Sequence, residues 1–192
     1  KVNKANSLVG IIRRSFSRLD KDTFVKIFVA FVRPHLEYGQ VIWAPHLRKY
    51  INMIEKVQIR ATKLIDGFGK LSYSERLGKL NLPTLAYRRL QGNMIETYKH
   101  FHRYDPTILP PSFTRRDRPS RSHDFQIQPI IPKDGERGVQ KNSFYCRIAD
   151  TWNQLTRDVV IAPTMDAFKN RLDKHWKVLP LKLDHTASQQ RQ

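Results

Sequence analysis

The chain has 192 residues, with 35 Lys and Arg against 17 Asp and Glu and a formal net charge of +18. Its 40% hydrophobic and 10% aromatic content excludes wholesale disorder and allows one domain or two small ones. The charge excess points to a polyanionic partner, nucleic acid before an anionic membrane.

The longest apolar run, Ile27 to Val32, is six residues. A membrane span needs about 20, so none is expected. Cys146 is the only cysteine and cannot form an internal disulfide, which suits a reducing compartment, nuclear or cytoplasmic. The first stretch is polar and lacks the apolar core of a secretory signal. The chain opens at Lys1 without an initiator Met and reads as a piece of a longer polypeptide.

The pattern predicts a mostly α-helical protein. Leu8, Ile11, Ile12, Phe16 and Leu19 recur at helical spacing over residues 3–19. Asp20 is a candidate N-cap for the next helix. Phe24, Phe28, Phe31, Tyr38 and Ile42 keep one phase through Pro34, which favours a kinked helix over two separate ones. Residues 48–66 are the cleanest amphipathic segment, with Ile54, Val57, Ala61, Leu64 and Ile65 on the apolar face and Gly67 as its stop. Ser72-Tyr73-Ser74-Glu75 reads as a capping box. Pro83 suits the first turn of a helix whose core stripe is Tyr87, Leu90, Met94, Tyr98 and Phe101.

Six of the eleven prolines fall in residues 105–139, which excludes helix for most of that connector. Alternation at Phe125-Gln126-Ile127 suggests a short strand, pairing near Val139 as a small β-hairpin. A C-terminal helical pair is expected at residues 143–155 and 164–176, with Thr164 as an N-cap, followed by a polar, frayed tail over 180–192.

Chemistry-bearing clusters are scarce. The seven histidines are scattered, and no metal site or cofactor is expected in this chain. Gly67-Phe68-Gly69-Lys70 lacks the trailing Ser or Thr of a phosphate loop and reads as a helix stop. Asp20 and Asp22 read as capping groups. No adjacent Asp pair occurs, and no carboxylate cluster could hold two catalytic metals.

The positive signal is basic. Residues 1–66 hold 13 Lys and Arg against 5 Asp and Glu, so the charge biases to the first third. Lys49, Lys56, Arg60 and Lys63 fall within about 60° of one another at 100° per residue, flanking the apolar face and not opposing it. That arrangement suits a helix lying along a phosphate backbone, and an ordinary solvated face is the competing reading. Arg88 and Arg89 form a second cluster. Arg115, Arg116, Arg118 and Arg121 form a third, either a phosphate fork or a solubilising linker. Tyr38, Trp43, Tyr73, Tyr87 and Trp152 could stack on bases, though core packing is the better reading for most.

Several phrases stand together in order. Phe31-Val-Arg-Pro-His-Leu-Glu-Tyr-Gly39 leads to Ile42-Trp-Ala-Pro45 and to Ile54-Glu-Lys-Val-Gln-Ile-Arg-Ala-Thr-Lys-Leu-Ile65. Leu71-Ser-Tyr-Ser-Glu-Arg-Leu77, Leu80-Asn-Leu-Pro-Thr-Leu85 and Tyr87-Arg-Arg89 follow. Then come Asn142-Ser-Phe144, Trp152-Asn-Gln-Leu155, Val159-Val160 and Phe168-Lys-Asn-Arg-Leu-Asp173. Over residues 1–177 this set resembles the region after the catalytic palm in reverse transcriptases of jockey-like, non-LTR (LINE-type) retrotransposons. Thr156 stands where the resemblance implies Pro.

The resemblance implies a thumb-like helical bundle over 1–104, the connector over 105–139 and C-terminal helices over 140–179. It implies RNA and DNA, as hybrid or duplex, and the palm and fingers of the same polymerase as partners, with Mg²⁺ used by the parent enzyme and not held here. The catalytic Asp pair is missing, so the chain is expected to be silent alone. The expected backbone contacts are Lys49, Lys56, Arg60, Lys63, Arg88 and Arg89, then Arg115, Arg116 and Arg118. A decayed or domesticated remnant serving as a protein-interaction scaffold is the rival expectation.

Overall fold

A computed structural model describes residues 1–42, 45, 47–102, 125–128 and 143–187. The fold is mostly α-helical, and no strand occurs among the described residues. The chain divides into two compact units: residues 1–90 with 179–192, and residues 91–178. The sequence boundaries at 104 and 139 differ from this division, because one long helix runs through the 90/91 boundary and the C-terminal segment returns to the first unit.

In the first unit, α1 (Val2–Ser15) packs on α4 (Arg48–Ala61). Its buried residues are Ala5, Val9 and Ile12. Ile11 and Phe16, expected on the core stripe, are exposed. Ile11 sits about 100° round the helix from Ile12, and the buried face is the one carrying the small Ala5.

Asp20 caps α2 (Lys21–Ile27), its carboxylate accepting from the N–H groups of Asp22 and Thr23 at 3.0 Å each. The helix then widens into a π turn (Phe28–Val32) and continues as α3 (Arg33–Glu37). Pro34 explains the widening. Its ring has no N–H and would meet the carbonyl four residues back. The Arg33 N–H instead bonds five residues back, to Phe28. The extra residue shifts the phase. Phe24, Phe28, Val32 and Leu36, each four apart, are buried, while Phe31, Tyr38 and Ile42 are 62%, 69% and 90% exposed. The kinked helix is observed, and the stripe expected on it is corrected.

α4 ends earlier than its periodicity suggests. It tightens into a 3₁₀ turn (Thr62–Leu64), although Gly67 does take the left-handed φ of +79°. The Arg76 guanidinium donates to the Ile59 carbonyl at 2.8 Å and to the Thr62 hydroxyl at 3.0 Å. A cation from α5 (Tyr73–Leu80) thus satisfies one of the last carbonyls of α4. Ser72 and Glu75 form the expected capping box of α5, and Asn81 ends it in the left-handed region at φ 51°.

α6 (Leu85–His102) starts two residues after Pro83. Thr84 accepts from the Tyr87 N–H at 3.0 Å, and Glu55 of α4 accepts from the N–H groups of Leu85 and Ala86 at 3.1 and 3.2 Å. All three donors of the first turn are therefore met by side chains. The segment expected to fray is docked as far as it is described. Thr84 donates its N–H to Lys182 and its hydroxyl to Leu181 at 2.9 and 2.6 Å, and His185 meets the Tyr73 ring edge-on.

The second unit holds Met94 and Tyr98 of α6 with α7 (Phe144–Asn153), α8 (Arg157–Val160) and α9 (Met165–His175). Ser143 and Thr164 cap α7 and α9. Its core is aromatic: Tyr98 stacks on Phe168 at 4.4 Å and Phe101 on Trp152 at 5.5 Å. Residues 125–128 are irregular and not a strand; Val139, its expected partner, lies outside the described residues. Side chains take the place of a partner strand. The Trp152 indole N–H donates to the Phe125 carbonyl, and the Asn153 amide both accepts from the Ile127 N–H at 2.9 Å and donates to its carbonyl at 3.0 Å.

Candidate nucleic-acid interface

The first unit carries 20 of the 35 Lys and Arg and 7 of the 17 Asp and Glu, so most of the charge excess lies there. α4 concentrates it. Lys49, Lys56, Arg60 and Lys63 are all exposed. Arg60 reaches α1, donating to Asn6 at 3.4 Å.

Their relation to the core differs from the expected one. Glu55, Gln58 and Thr62 are buried together with Ile54, Val57 and Ala61. The buried arc therefore spans about 160°, and the basic stripe stands opposite its centre, not beside it. Each polar member of the arc has a buried task. Gln58 donates to the Pro83 carbonyl at 2.9 Å, Thr62 back-bonds to Gln58, and Glu55 takes the α6 amides and the Tyr73 hydroxyl at 2.5 Å. Burial and the neighbouring Glu55 carboxylate push the Tyr73 phenol well above its usual range.

The consequence is a separation of sign. Glu55 is the single acid on α4 and is fully buried. The outward face thus presents Lys49, Met53, Lys56 and Arg60, with Lys63 one turn on, and no carboxylate. From Lys49 to Lys63 this ridge runs about 21 Å at 1.5 Å per residue. Further exposed cations on α1 and just beyond it, Arg13, Arg14 and Arg18, carry no period that would single them out in sequence. Arg14 folds back over Gly10, its Nη1 3.7 Å from where a Cβ would stand.

Arg88 and Arg89 lie elsewhere than expected. Arg88 makes a two-pronged pair with Glu37, Nε to Oε1 at 2.9 Å and Nη2 to Oε2 at 3.2 Å. Arg89 is buried, and its Nη1 meets no hydrogen-bond partner among the described residues. Burial pushes its pKa down, while Glu55 and Glu37 act the other way. As placed, neither is turned to solvent the way the α4 cations are. Arg115, Arg116, Arg118 and Arg121 lie outside the described residues, as does Trp43.

Of the aromatic candidates, Tyr87 and Trp152 are buried, Tyr73 is bonded to Glu55, and Tyr38 is exposed with the Lys1 ammonium 3.3 Å from its ring centroid. Cys146 is half-buried. No group of three or more His, Cys, Asp or Glu among the described residues is placed to hold a metal ion. No helix among them is long and apolar enough to cross a membrane.

Neither a protein-family model, nor a curated protein, nor a solved structure matches this chain.

Proposed function

We propose that this chain is the nucleic-acid-gripping, post-palm part of an RNA-directed DNA polymerase of the non-LTR retrotransposon kind. It holds a primer–template duplex through its backbone, without reading bases. The observation that carries this reading is the carboxylate-free ridge of α4, set on a helix whose opposite face is locked to α1, α5 and α6. The ordered phrases from Phe31 to Asp173 support this choice of machine. A duplex grip needs fixed cations at the spacing of phosphates and a rigid support, and base-edge contacts are unnecessary.

The test is the salt dependence of binding to a short RNA–DNA hybrid. Four phosphate contacts from Lys49, Lys56, Arg60 and Lys63 give a log–log slope of about −3.6. That is an affinity loss of about 150-fold between 50 and 200 mM salt. Reversing Lys56, Arg60 and Lys63 to Glu should flatten most of that slope. A flat slope in the unmodified chain sinks the reading. Polymerase activity of the isolated chain above background, with Mg²⁺ or Mn²⁺, also overturns it.

A second reading, a protein-interaction scaffold, draws on the exposure of Phe31, Tyr38, Ile42 and Leu47. It predicts binding that survives high salt and is lost on Phe31→Ser with Ile42→Ser.

A further inference from the structure

The guanidiniums of Arg33 and Arg88 meet at one half-buried carboxylate in the first unit, and Arg89 lies within its field. Glu37 takes both prongs of Arg88, and Arg33 stands with its Nε 3.6 Å from the same Oε1, too far for a good hydrogen bond. Arg89, next along the same helix as Arg88, is buried, its Nη1 meets no hydrogen-bond partner among the described residues, and it lies in the field of both Glu37 and Glu55. The Glu55 carboxylate is already committed to the Tyr73 hydroxyl and two backbone amides. Three cations therefore share two carboxylates, one of which already accepts three hydrogen bonds. Arginine cannot shed its proton to relieve this. Burial is the main cause that pushes the Arg33 pKa down; Glu37 opposes it, and the adjacent Arg88 adds to it.

A planar arginine fork accepts a phosphate in the same geometry as a carboxylate. Glu37 and the Arg33 and Arg88 side chains are each between 22% and 31% exposed, so an anion can reach them from solvent. We propose that Arg33 and Arg88 form a second phosphate-binding site, in which Glu37 occupies the place of a nucleic-acid phosphodiester until the backbone displaces it. The site rests on the proposed function for the identity of its ligand, and on its own geometry for being an anion site. It gives Arg88 a role the α4 ridge does not share: its contact with nucleic acid is conditional on Glu37 letting go.

The experiment uses the full chain with two probes, a short RNA–DNA hybrid and inorganic phosphate. Glu37→Gln removes the competing charge while keeping the side-chain shape. It should steepen the hybrid salt slope by about one to two, one for each arginine that newly engages a phosphate. It should also make the thermal midpoint rise with inorganic phosphate more than in the unmodified chain. Adding Arg33→Gln and Arg88→Gln should abolish both effects. Should Glu37→Gln fail to fold, Glu37→Ser removes the same charge and should steepen the hybrid slope by the same one to two. An unchanged slope and phosphate response in folded Glu37→Gln, or in Glu37→Ser where that is the variant measured, overturns the site. If hybrid binding is absent throughout but the phosphate response of Glu37→Gln remains, the duplex grip fails and the anion site stands.

Discussion

Glu55 is the side chain on which the first unit most depends. Its carboxylate accepts three hydrogen bonds, from the Tyr73 hydroxyl and the Leu85 and Ala86 amides. It is fully buried, and it sits at the N-terminus of an 18-residue helix, where a negative charge is favoured. Glu55→Ala leaves two helix donors and a phenol without their acceptor and removes the charge that balances Arg89. Hydrogen bonds to a charged group contribute about 1.5–3 kcal/mol each, and breaking a buried charged constellation costs about 3–5 kcal/mol. A loss of about 4 kcal/mol, with a urea m-value near 2 kcal/mol/M, moves the midpoint down by about 2 M. The assay is equilibrium urea unfolding followed by far-ultraviolet circular dichroism. Tyr73→Phe alone should cost about half as much or less, and the double variant should cost less than the sum, since both act on one carboxylate. A midpoint shift under about 0.5 M for Glu55→Ala would show that water replaces these bonds and that α6 is held by apolar packing alone.

Other outcomes follow from the same kind of local bonding. Asp20, Glu75 and Asp184 have their carboxyl pKa values lowered, by hydrogen bonds chiefly from Thr23, Ser72 and Thr186 respectively. A lowered native pKa gives stability that is present above the ordinary values of 3.8 and 4.5 and is lost as pH falls through the native ones. Acid titration of the thermal midpoint should therefore slope downward below about pH 4.5, and less so in Asp20→Asn with Glu75→Gln. The raised Tyr73 pKa acts at the other end: stability is full below the ordinary value of 10.0 and falls as pH rises above it. Asn153→Ala removes both bonds to Ile127, and hydrogen exchange should show the Ile127 amide losing protection while the amides of α9 keep theirs. Thr156 has a φ of −73°, close to what a proline ring imposes, and its N–H donates no hydrogen bond among the described residues. Thr156→Pro should raise stability by about 0.4–1 kcal/mol, and a lowered thermal midpoint would show that Leu155 cannot take the backbone a following proline requires.

What could be read in the sequence was local. Asp20, the Ser72–Glu75 box and Thr164 act on amides two or three residues away, so their spacing alone identifies them. The Tyr87–Met94–Tyr98 stripe was legible because α6 is unbroken. The α2–α3 stripe was not, since a single π turn before Pro34 changes the period from the one a pattern assumes. The docking of Leu181 and Lys182 was hidden for another reason: its partners are Thr84 backbone and hydroxyl groups about 100 residues away.

The candidate interface shows the same divide. Helical phase grouped Lys49, Lys56, Arg60 and Lys63 because their relation to one another depends on helix geometry alone. Their relation to the core depends on which polar residues are turned inward. A pattern that assigns Glu, Gln and Thr to the surface places the apolar face too far to one side and pairs Glu55 with the lysines around it. In the fold Glu55 is withdrawn by Tyr73 and the α6 amides, Arg76 is withdrawn by the end of α4, and Arg89 is withdrawn toward Glu55 and Glu37. The interior thus removes one acid from the face of α4 and two arginines from the neighbouring helices. The surface that remains on α4 is more uniformly positive than its sequence, while the Arg88–Arg89 pair is less available than its sequence. A charge count along the chain cannot distinguish these cases, because the sorting is done by hydrogen-bond partners that lie on other helices.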